Sequence, residues 1–83
     1  MKPAPQVLTQ EVEGEMVLLD LEGGQYYVLD DVGTRMWRLL EEHGDVDAIV
    51  RTMLDEFDVD EARLRADVDA LVAKLGAAGL VAE

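Results

Sequence analysis

The chain has 83 residues, 19 of them acidic and 7 basic, for a net charge of −12 at pH 7. That length holds one small domain, and a hydrophobic share of 49% is enough for a core, which argues against disorder despite the charge. The charge also argues against nucleic acid and anionic membrane surfaces as partners, since both are held by clusters of Lys and Arg and none occurs here.

Residues 1–6, with Pro3 and Pro5, read as a flexible lead-in to a single domain over residues 7–83. VLTQEV, Val7 to Val12, alternates loosely and predicts a first strand; Glu13-Gly14 is a turn signal. EMVLLDL, Glu15 to Leu21, predicts a second strand whose continuous apolar middle suits cover on both faces or an ambiguous register. Glu22-Gly23-Gly24 is a short hairpin connection, because glycine accepts the positive φ that tight hairpins need. Gln25 to Leu29, QYYVL, is the third strand, and either parity of YYVL suits a core. Three strands joined by short turns imply an antiparallel meander.

The second half predicts three helices. Asp30 and Asp31 offer carboxylates to the free N–H groups of the first, in which Val32, Met36, Leu39 and Leu40 recur at helical spacing beside Trp37. Gly44 ends it, and Asp45 caps the second. There Val46, Ile49, Val50, Met53, Leu54 and Phe57 follow the i, i+3, i+4 pattern most cleanly. The third starts near Asp60, with Val59 and Leu64 as a hydrophobic staple and a stripe of Leu64, Val68, Leu71 and Leu75. Gly76 and Gly79 loosen its end, and Leu80-Val81 can fold back on the core.

The chemistry of a reactive site is missing. No serine occurs, which removes both a Ser-His-Asp triad and the attachment point of an acyl carrier. No cysteine occurs, so there is no disulfide framework or thiol chemistry. His43, the one histidine, falls in the last turn of a helix, where a partial positive charge is mildly favourable. An EF-hand loop counted from Asp58 would put Ala62 and Arg63 where an oxygen ligand and a glycine belong, so helix capping explains these aspartates better than calcium. No cofactor or metal site is expected. With no run of about twenty apolar residues and no signal-peptide core, the expected location is the cytoplasm.

What remains is binding. A three-stranded sheet has two edges of unpaired N–H and C=O groups, and such an edge can accept a peptide as a further strand. A third helix lying along Gln25–Leu29 would turn that edge into a groove, with most of its stripe packed inward and its margin facing the guest.

The run GGQYYVLDDVGTRMWRLL from Gly23 to Leu40, followed by VDAIV, FDVD, a third helix and a closing GLV, resembles the PqqD-like peptide chaperones. These are also called RiPP recognition elements, after ribosomally made, post-translationally modified peptides. The resemblance covers about Val7 to Val81 and is most specific over Tyr27 to Leu40. It implies an α+β fold: a winged helix-turn-helix with a three-stranded antiparallel sheet followed by three helices. It also implies a non-catalytic adaptor that takes the leader region of a precursor peptide as an extra strand against its third strand. By position, Gln25, Tyr26, Tyr27, Val28, Leu29 and Asp30 would pair with the leader, and Leu64, Asp67, Val68, Leu71, Val72 and Lys74 would form the helix side of the groove. A discrete chain this short looks most like the leader-binding partner of lasso-peptide biosynthesis, handing its guest to a separate leader peptidase or other modifying enzyme. The rival classes are a winged-helix DNA-binding regulator and a small protein–protein docking module. The first needs a basic recognition helix, yet in Asp58 to Asp69 carboxylates outnumber the only two cations, Arg63 and Arg65.

Overall fold

A computed structural model describes residues 1–82. In chain order it contains β1 (Lys2–Pro3), β2 (Val7–Val12), β3 (Glu15–Asp20), β4 (Gln25–Leu29), α1 (Asp31–His43), α2 (Val46–Glu56), α3 (Glu61–Ala77) and β5 (Val81–Ala82). Strands β2, β3 and β4 form the expected antiparallel meander, and the three helices follow it.

Local chemistry sets each turn. Glu13 and Gly14 both take positive φ, 52° and 85°, the pair of mirror-image conformations that a two-residue hairpin requires. Val12 therefore faces Glu15, and the register carries Leu8 opposite Leu19 and Leu19 opposite Tyr26. Each helix opens on an aspartate. Asp30 accepts the Gly33 N–H at 2.8 Å, Asp45 the Asp47 N–H at 3.1 Å, and Asp60 the Arg63 N–H at 3.0 Å. Gly44 closes α1 in the left-handed region at φ 66°, its N–H bonded to the Leu40 carbonyl at 2.8 Å.

The register resolves the parity of YYVL. Tyr27 and Leu29 share a face with Met16 and Leu18 and turn inward; Tyr26 and Val28 share the other with Val17, Leu19 and Leu8 and turn outward. The inward face meets Trp37, Leu75 and Leu80 to make one core. A second core joins the helices through Met36, Leu39, Leu40, Ile49, Val50, Met53, Leu64 and Val68. Leu71 and Val81 pack against both. The apolar run of β3 is thus covered on one face only, which leaves Leu19 exposed.

Residues 1–6, expected as a flexible lead-in, contain a short strand. Lys2 pairs with Ala82 and Pro3 with Val81, Ala4 is buried, and its N–H donates to the Leu80 carbonyl at 2.9 Å. A two-residue strand has no periodicity to read, and its partner lies at the opposite end of the sequence. Leu80 does fold back, and is fully buried.

Ion pairs tie the elements together at the surface. Arg38 on α1 pairs with Glu11 on β2, and Arg65 on α3 with Asp47 on α2 at 2.7 Å. Arg35 on α1 grips Glu56 on α2, with Nε donating at 2.8 Å. That hydrogen bond holds the Glu56 carboxyl below, and the Arg35 guanidinium above, its ordinary range.

Candidate functional site

Strand β4 lies at the end of the sheet order, bonded to β3 on one side. Its other edge pairs with no strand among the described residues, since β5 pairs with β1. Its backbone groups on that side stand ready for a partner. Across from this edge runs the C-terminal half of α3. Tyr27, Val28 and Leu29 on one side, with Leu71, Lys74, Leu75, Ala78 and Leu80 on the other, enclose a cleft of ≈ 110 Å³. That is room for a side chain of a guest, not for a folded partner.

Each wall is held in place. The Tyr27 hydroxyl donates to Gln25 Oε1 at 2.8 Å, bracing the start of the strand. At the other end the buried Thr34 hydroxyl accepts the Met16 N–H at 2.8 Å and donates to the Leu29 carbonyl at 3.2 Å. One side chain of α1 thereby fixes β3 and the last residue of β4. On the helix side, Leu71 spans both cores, and Lys74 brings the one charge among the cleft residues.

Of the residues that the sequence put forward, Tyr27, Val28, Leu29, Leu71 and Lys74 meet in this cleft. Gln25 and Tyr26 belong to the same strand, but the Tyr26 side chain projects to the outer face and is 70% exposed. Asp30 is the N-cap of α1. Leu64 and Asp67 border a separate cavity of ≈ 230 Å³ with Val32, Met36, Met53 and Phe57. Val68 is fully buried in the helical core, and Val72 lines a third hollow beside Met1 and Val81. The α3 face that meets the cleft is therefore Leu71, Lys74 and Leu75, at i, i+3 and i+4, continued by the C-cap residue Ala78 at i+7. Leu75 and Leu80 were read from the sequence only as core, and Ala78 and Thr34 escaped it. Continuing the helical spacing from Leu71 would have reached Ala78, but nothing local marks a threonine whose partners lie on two other elements.

The model of the family described as coenzyme PQQ synthesis protein D (PqqD) matches residues 15–81. Among solved structures, TbiB1 in complex with the TbiA(beta) leader peptide is similar over 100% of both chains, with 34% identity and a TM-score of 0.92. Lasso peptide synthetase B1 complexed with the leader peptide has a TM-score of 0.89 and 23% identity, over 99% of this chain and 96% of its own. At that lower identity the likeness speaks to fold. No curated protein matches.

Proposed function

The chain belongs to the PqqD family, and from that premise we propose that it is a RiPP recognition element of lasso-peptide biosynthesis. It binds the leader segment of a precursor peptide as an added strand along β4, and delivers it to a separate leader peptidase or other maturation enzyme. It catalyses nothing itself. One observation carries the reading: the unpaired edge of β4 borders an apolar cleft whose opposite wall is α3. The neighbour that is 34% identical over its full length is a leader-peptide complex, which favours a leader as the guest.

The energetics suit such a guest. Each backbone hydrogen bond added at the edge contributes about 0.5–1.5 kcal/mol net. A guest side chain buried in the cleft adds about 1.5–3 kcal/mol. Ordering a flexible peptide takes back several kcal/mol, which leaves affinity between about micromolar and nanomolar.

Calorimetric titration with an alanine-scanned leader tests the proposal. Truncating the leader's apolar anchors should weaken binding more than removing its charges. A dominant salt dependence, or no binding, would count against it.

A further inference from the structure

The outward face of the sheet is uncovered. Antiparallel sheets commonly leave one face in water, but that face then alternates to polar residues. Here it presents Leu8, Val12, Leu19, Tyr26 and Val28, all exposed, with Val17 between them. Leu8, Val17, Leu19 and Tyr26 line a shallow hollow of ≈ 400 Å³ with Gln10. A contiguous apolar patch of this kind marks an interaction surface more often than chance exposure does.

Charge indicates what covers it. Residues 7–29 hold Glu11, Glu13, Glu15, Asp20 and Glu22 and no Lys or Arg. Glu11 is paired with Arg38, but Glu13, Glu15 and Glu22 lie in no ion pair among the described residues. Glu13 and Glu22 stand in the two hairpin loops that bound the patch, and Glu15 is on its face. Two copies meeting through this face would bring these unpaired carboxylates together, which opposes a dimer.

We infer that the outer face of the β2-β3-β4 sheet docks a folded maturation enzyme through an apolar patch rimmed by Lys and Arg. In naming a maturation enzyme the inference rests on the proposed function; the surface shares only Val28 with the cleft. Tyr26 and Val28 project from β4 itself, so an enzyme seated there lies against the strand next to the guest. Docking would shorten the path from leader to active site without occupying the groove.

The test uses the purified leader peptidase of the same maturation system as the folded probe, and its leader peptide as the control. Two variants are compared with the wild-type chain: Leu8→Gln with Leu19→Gln, and Glu13→Lys with Glu22→Lys. All four positions are exposed, and none lines the cleft. Each variant should bind the peptidase about tenfold or more weakly, as loss of interface anchors or rim charges does. Leader affinity and thermal unfolding should stay at wild-type values. Equal peptidase binding by all three proteins, or none by a wild type that binds leader, overturns the inference. So does a wild-type dimer that Leu8→Gln with Leu19→Gln dissociates. A wild type that binds no leader overturns the proposed function instead.

Discussion

Thr34 and Met16 are joined by a buried hydrogen bond, the β3 amide donating to the α1 hydroxyl at 2.8 Å. The same hydroxyl donates to the carbonyl of Leu29, the residue opposite Met16 in the sheet. Thr34→Val keeps the shape and leaves both backbone groups without their partner. Such a loss costs about 1–3 kcal/mol, or roughly 4–24 °C in Tm for a domain of this size. Thr34→Ser keeps the hydroxyl and should lose much less. Thermal unfolding followed by circular dichroism compares the two; equal destabilisation would show that the hydroxyl is not what matters.

Gly44→Ala should be costly for two reasons. The residue holds φ 66°, and a Cβ there would sit 2.5 Å from the Met1 carbonyl oxygen. The left-handed conformation alone costs a non-glycine residue about 1–2 kcal/mol, and the clash would push the start of the chain off α1. Chemical denaturation measures the total. A loss smaller than that of an alanine at Gly14, which has a similar φ but open space around it, would contradict the clash.

Ala78→Leu should block the cleft with little effect on the fold. Ala78 is half-buried at the end of α3 and lines the cleft opposite β4. Filling the hollow displaces a guest anchor, and losing about 1.5 kcal/mol of burial is about tenfold in the dissociation constant. Titration with labelled leader reads the change; unaltered affinity would place the anchor elsewhere.

The Arg35–Glu56 pair predicts a pH effect of definite sign. The hydrogen bond from Arg35 lowers the Glu56 pKa in the folded chain. Its contribution is therefore complete above the ordinary carboxylate pKa and disappears as pH falls through the lower, folded value. Glu56→Gln should reduce Tm at pH 7, and the gap from wild type should close on acidification. A gap that widens toward acid would reverse the assignment.

Much of the fold was legible because its signals are local. Aspartate caps, Gly44 and the i, i+3, i+4 pattern in α2 each lie within one turn of the feature they specify. The edge strand was legible too, from QYYVL between a glycine turn and a capped helix. What sequence left open depends on distant partners. Either parity of YYVL would satisfy a core, and only pairing with β3 turns Tyr27 inward and Tyr26 outward. The β1–β5 pairing joins opposite ends of the chain. On α3, an apolar stripe does not say which flank faces the sheet; Val68 is core, whereas Leu71 and Lys74 reach the cleft.

Hydrogen exchange of the β4 amides, with and without the leader peptide, bears most directly on strand addition. Amides of Gln25–Leu29 that point away from β3 should exchange freely in the unliganded chain and become protected on binding, while the free edge of β2 stays unchanged. Leader binding that protects the β2 edge, or leaves the β4 amides as exchangeable as before, would contradict the account.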